Sequence, residues 1–175
     1  MAHMIKDTIE YKLISAHYGN QVARRSQVPL MNHINEGLVV LDRIGATELS
    51  KRAFCLHPIV QTDEALKANY PMVASTCNAW VVMLAIEYRS VANEFLSDKI
   101  PEHKWDTIRL SPLFEVNEML VADKVQNYKD FITYHRDTHA RSKELSEYFL
   151  MWLAALDIPA ETYNRLCKAI DESKV

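Results

Sequence analysis

Residues 24–64 read RRSQVPLMNHINEGLVVLDRIGATELSKRAFCLHPIVQTDE. His33 and His57 each stand in this stretch inside an otherwise apolar helical pattern. From Asn32 onward, Ile34, Leu38, Val39 and Leu41 recur at the spacing of one helix face, and Gly45 sits where a C′ glycine ends a helix. Glu48 to His57 restarts the pattern with Ala53, Phe54 and Leu56 facing inward, and Pro58 interrupts the backbone just after His57. Thr62 followed by Asp63 and Glu64 is an N-cap with acidic first-turn residues, so another helix begins there. A later piece, Ala122-Asp123-Lys124-Val125-Gln126-Asn127, is suited to meet the two histidines from a different helix.

Outward from this stretch the helical spacing continues. Residues 6–18 carry Ile9, Leu13 and Ala16 on one face, and Gly19-Asn20 ends that helix. Arg24 to Gln27, punctuated by Pro29, reads as a loop. Residues 72–97, around AWVVMLAIEY, are the most apolar and read as the central buried helix. Pro101 to Arg109 is polar and reads as a loop or short helix. Ser111-Pro112 predicts a helix start, serine at N-cap and proline at N1, leading into Val116, Leu120, Val121 and Val125. Tyr134 to Arg141 reads as a loop, and Leu145–Leu156 and Pro159–Ile170 as two closing amphipathic helices.

The bulk numbers agree with this reading. The chain has 175 residues, 49% of them hydrophobic, which suits one domain with a sizeable core. Only three glycines and six prolines are available to break helices. The fold class is all-α, a bundle of seven to nine helices. The opening Met-Ala-His-Met reads as a non-native tag before Met4, which leaves residues 5–175 as the domain and sets His3 aside. A net charge of −3 lacks the basic footprint of a duplex nucleic-acid binder, while leaving room for a small anionic ligand. Cys55, Cys77 and Cys167 are scattered, odd in number and free of any CxxC spacing, so they read as thiols of a reducing compartment such as the cytoplasm. No apolar run reaches membrane-spanning length.

Three pieces together resemble the HD-domain superfamily, closest to its RelA/SpoT-type, small alarmone-hydrolase branch. Arg24, Arg25, Ser26, Pro29 and His33 fall at the spacing of a first motif, R-K-S-x-x-P-x-x-x-H. Leu56-His57-Pro58-Ile59-Val60-Gln61-Thr62 aligns with a second, L-L-H-D-x-x-E-D. Val121-Ala122-Asp123-Lys124-Val125-Gln126-Asn127 aligns with a third, L-A-D-K-L-x-N. The resemblance spans residues 13–155 and implies the all-α HD bundle.

It also implies a site. In that family two histidines and two aspartates hold a divalent metal; His33, His57 and Asp123 fill three of the places, and Pro58 replaces the other aspartate. The family's Glu-Asp pair, implicated in activating water, is Gln61-Thr62 here, and neither residue serves as a general base near neutral pH. No tightly held metal and no catalytic residue are therefore expected. The arginine of the first motif and the asparagine of the third contact the nucleotide in the family, and Arg24 and Asn127 stand there. Arg25, Lys124 and Lys129 can add positive charge for phosphates.

The expectation is a degenerate HD-fold protein that binds a nucleotide or nucleotide-derived signalling molecule without hydrolysing it, as a sequestering sponge or sensor. The small format suits a bacteriophage or bacterial regulator. One alternative is a metal-dependent nucleotide phosphohydrolase using manganese or zinc on His33, His57 and Asp123, with Asp63 or Glu64 recruited for the lost acids. Another is a helical scaffold that assembles with itself as a homo-oligomer or with a partner. His135 and His139, four apart in a polar stretch, read as surface histidines, and Trp80, Trp105 and Trp152 as core and rim aromatics. No Walker loop, GxGxxG or GxSxG occurs.

Overall fold

Backbone hydrogen bonds sort the chain into helices separated by caps that the sequence announces. The computed structural model describes residues 5–101 and 107–174. Eight α-helices run through the described residues: α1 (Ile9–Tyr18), α2 (Met31–Arg43), α3 (Glu48–Leu56), α4 (Asp63–Thr76), α5 (Ala79–Glu94), α6 (Phe114–Asp130), α7 (Ser142–Ala155) and α8 (Ala160–Glu172). A 3₁₀ turn, His57–Val60, continues α3, and a π-helical turn, Phe131–His135, continues α6. Among the described residues there is no strand, only an isolated bridge between Val22 and Pro29. The chain is all-α. Trp105 and residues 1–4 lie outside the described residues, as does most of the polar stretch after Pro101.

The caps fix where each element stops. Thr8, Thr47 and Thr62 accept the N–H groups of Tyr11, Ser50 and Ala65 at the starts of α1, α3 and α4. At the end of α2, Gly45 has φ +72°, its N–H bonds Asp42 O at 3.2 Å, and Ala46 N–H bonds Leu41 O at 2.9 Å. That is a Schellman ending. Asp157, with φ +53°, does the same after α7 through Ile158 N–H to Leu153 O at 2.8 Å.

Several boundaries differ from the sequence reading. The apolar stretch 72–97 is not one helix, because α4 runs on to Thr76 through an internal Pro71, and Asn78 caps a new helix by accepting Trp80 N–H at 2.9 Å. Nor is that helix the centre of the bundle. The hub is α6, which touches α2, α3, α5, α7 and α8. Hydropathy misses it because Glu118, Asp123, Lys124, Gln126 and Lys129, spread around the helix, are all buried. Helix α6 also begins at Phe114, two residues beyond the expected N1. Ser111 is instead an anchor: its Oγ donates to Glu87 at 2.7 Å, and its backbone exchanges hydrogen bonds with Asn117.

The core of Ile34, Leu41, Phe54, Leu56, Leu84, Met119, Leu120 and Trp152 is fully buried around α6. Two charged links brace it. Arg52 of α3 clasps the buried Glu10 of α1 through two hydrogen bonds at 2.9 and 3.0 Å. Glu118 of α6 accepts Thr47 N–H at 3.1 Å and also Ser50 Oγ, which holds the N-terminus of α3 and, at its other end, positions His57.

Candidate functional site

Three helix segments bring the sequence-predicted residues together. His33 sits in the first turn of α2, His57 where Pro58 ends α3, and Asp123 at the middle of α6. His33 Nε2 lies 3.3 Å from His57 Nε2 and 3.6 Å from Asp123 Oδ1. One donor atom from each of the three residues falls within 4.8 Å of the others, the one such cluster among the described residues. They share a cleft of about 540 Å³, within the usual size of small-molecule sites.

The surroundings prepare the three groups. His57 Nδ1–H donates to the carbonyl oxygen of Phe54 at 2.7 Å. A carbonyl only accepts, so the proton is on Nδ1 and the Nε2 lone pair faces the cleft. Burial and the neighbouring His33 push the His57 pKa down to about 3, which keeps the ring neutral near neutral pH. Asp123 is pushed up by burial, but its charged neighbours, Lys124 foremost, outweigh this and hold it at about 2. Its Oδ2 lies 2.8 Å from Lys124 Nζ, and its Oδ1 accepts Asn127 Nδ2–H at 2.8 Å. Lys124 Nζ in turn lies 4.7 Å from the centre of the Trp152 ring and 5.8 Å from that of Tyr148. Tyr18, Tyr148 and Phe149 also line the cleft, and burial lifts the Tyr18 hydroxyl to about 12.

Asp123, Gln126, Asn127 and Asp130 stand at i, i+3, i+4 and i+7 of α6, so one helix face presents all four to the cleft. Gln126 Oε1 lies 2.7 Å from His33 Nδ1, and its Nε2 reaches Asp130 at 2.8 Å. Burial, above all, holds the Asp130 carboxyl above the usual carboxylate range. Sequence reading passed over Gln126 and Asp130; their i+3 and i+7 spacing from Asp123 was the available signal.

The remaining expected residues are placed elsewhere. Arg24 and Arg25 are exposed on the loop between α1 and α2, whose Ala23 and Ser26 line the cleft while the two arginines do not. Asp63 pairs with Arg89 at the start of α4, Glu64 is exposed, and neither lines the cleft. Gln61 lines the cleft and donates through Nε2 to Asn93 at 2.7 Å. Lys129 faces Glu36 and Asp171, each at 3.5 Å, on another side of α6. His135 closes the π-helical turn Phe131–His135, and His139 lies in the connection that follows, where its Nδ1 accepts Arg141 N–H at 3.0 Å.

Two inward imidazole nitrogens and an ionised carboxylate are a donor set that fits manganese or zinc. Pro58 lines the same cleft and supplies no fourth side-chain ligand, so ligand oxygens would have to complete the coordination. Compared with protein-family models, curated proteins and solved structures, the chain gives no match.

Proposed function

We propose that this protein binds a nucleotide or nucleotide-derived signalling molecule in the α2–α3–α6 cleft and holds it without hydrolysing it. The convergence of His33, His57 and Asp123 at the floor of an aromatic-lined cleft is the observation that carries the reading. Tyr18, Tyr148 and Phe149 offer faces on which a planar base can stack. Asn127 and Lys124 bring a hydrogen-bond donor and a positive charge to the same wall. The motif resemblance to the alarmone-hydrolase branch supports a phosphorylated nucleotide over other planar ligands. His33, His57 and Asp123 would hold a divalent cation, which would supply positive charge for a phosphorylated ligand.

The absence of hydrolysis follows from what lines the cleft. Gln61 offers only a neutral amide, which cannot take a proton from water, and Asp63 and Glu64 sit outside the cleft. One observation favours a hydrolytic second reading: a carboxyl group, Asp130, lines the same cleft as His33, His57 and Asp123, and burial raises its pKa above the ordinary value. One experiment separates the two. The protein is mixed with purine nucleotides, alarmones and cyclic dinucleotides in the presence of manganese, and both bound and free fractions are weighed by mass spectrometry. Intact nucleotide in the bound fraction supports the proposal, turnover supports the second reading, and no retention of any of these compounds overturns both.

A further inference from the structure

We infer that Gln126 is a positioning residue that assigns His33 its proton, holding the ring in the Nδ1–H tautomer so that Nε2 presents a lone pair beside His57 and Asp123. The consequence for a cation rests on the proposed function; the tautomer itself does not. Gln126 is completely buried, and its Oε1 lies 2.7 Å from His33 Nδ1. Its Nε2 faces two carboxylates, Asp130 Oδ2 at 2.8 Å and Glu36 Oε2 at 3.3 Å. Turning the amide end for end would set Oε1 against both carboxylates, so the orientation is fixed by what surrounds it. Glu36 is held in place from outside, with Lys174 Nζ at 2.7 Å and Lys129 Nζ at 3.5 Å. An amide oxygen at hydrogen-bond distance requires a donor, and His33 Nδ1 is the atom that faces it.

His57 reaches the same state by a different route, through the Phe54 carbonyl. The two rings therefore turn lone pairs toward each other at 3.3 Å. That contact is repulsive until a proton or a cation comes between the nitrogens. Histidines that bind metals usually give their other N–H to a carboxylate, a backbone carbonyl or water. Here a neutral amide takes that place, and the charge lies one step further out on Asp130 and Glu36. A carboxylate at position 126 would put three acids in contact.

The test reads the tautomer directly, by imidazole nitrogen NMR on metal-free protein at mildly alkaline pH, where histidines are neutral. The His33 signals are assigned by their loss in His33→Asn. Wild-type protein should show a protonated Nδ1 and a bare Nε2. Gln126→Met should move the proton to Nε2, where His57 and Asp123 can accept it, whereas Gln126→Glu keeps an acceptor oxygen and should keep the Nδ1–H form. A protonated Nε2 in the wild type, or an unmoved proton in Gln126→Met, overturns the inference. Should Gln126→Met fail to fold, Gln126→Leu, which also lacks the acceptor oxygen, takes its place and the wild-type spectrum is read first. Manganese titration forms the second arm, with affinity expected to fall about 10- to 100-fold in Gln126→Met. A wild type that shows the stated tautomer yet takes up no manganese removes the cation from the proposed function and leaves the role of Gln126 standing.

Discussion

The Nε2 atoms of His33 and His57 stand 3.3 Å apart, and the His57 nitrogen cannot donate because its proton is committed to the Phe54 carbonyl on the other side of the ring. This arrangement is suited to a positive guest. Added manganese or zinc should therefore stabilise the fold, by about 2.7 kcal/mol at a hundredfold excess over the dissociation constant. With three protein donors and no fourth, the cation should leave on dialysis. Thermal unfolding with and without metal checks this, and His57→Ala should remove the metal-dependent shift. An equal shift in His57→Ala would place the cation elsewhere.

Glu118 should matter more than its single charge suggests. Its carboxylate satisfies Thr47 N–H and Ser50 Oγ at the start of α3, the helix that ends on His57. Glu118→Ala leaves the part-buried Thr47 N–H without its partner and Ser50 Oγ with Thr47 Oγ1 alone, and should cost about 1–3 kcal/mol. Urea unfolding should show a lower midpoint at an unchanged slope. Glu118→Gln, which keeps an acceptor, should lose less.

Gly37 packs its bare Cα against the Phe54 ring, and an added Cβ would overlap that ring. In an open helix, Gly→Ala gains about 1 kcal/mol. Here the gain is outweighed, because Phe54 is completely buried, lies against both site histidines and supplies the carbonyl that His57 needs. Gly37→Ala should destabilise by about 1–3 kcal/mol, the usual range for overpacking. Its effect on metal or ligand binding should exceed that of an equally destabilising change in α8.

These dependencies show which parts of the molecule the sequence makes legible. His33 and His57 interrupt apolar patterns at helix ends, so their turn toward the interior was readable, as were the caps at Thr62 and Gly45. The role of α6 was not. Its buried charges find partners far away in the chain, Glu118 the hydrogen-bond donors of Thr47 and Ser50 and Lys129 the carboxylate of Glu36, and a hydropathy pattern counts such residues as facing solvent. The position of Arg24 was not legible for a local reason: Gln27 at φ +58° and the Val22–Pro29 pairing fold its loop so that it is exposed while Ala23 and Ser26 meet the cleft.

Asp130 adds a pH signature. Burial raises its carboxyl above the ordinary value, only partly offset by the Gln126 hydrogen bond. The folded protein therefore holds this proton more tightly than the unfolded chain does. Stability from this group is greatest at low pH and falls as pH rises from the ordinary carboxylate value through the raised folded one. Asp130→Asn can still accept from Gln126, and it should flatten this part of the stability–pH curve and be more stable than wild type near neutral pH. Chemical denaturation across the acid range measures it; an unchanged slope would show that Asp130 is no more shielded than a surface carboxylate.

Ligand binding gives the sharpest contrast between chain order and folded position. Asn127 lines the cleft and steadies Asp123 Oδ1, whereas Arg24 lies exposed outside the lining. Asn127→Ala should weaken nucleotide affinity by about 1–2 kcal/mol, roughly 5- to 30-fold, by removing a hydrogen-bonding group and loosening a cation ligand. Arg24→Ala should lose less than about 1 kcal/mol, and that loss should shrink as salt rises, because an exposed charge acts through screened solvent. Titration calorimetry at low and high salt, with whichever nucleotide the mass spectrometry retains, compares the two variants. If Arg24→Ala proves the more damaging variant at high salt as well, its loop must close onto the ligand, and the cleft that binds nucleotide extends beyond the walls described.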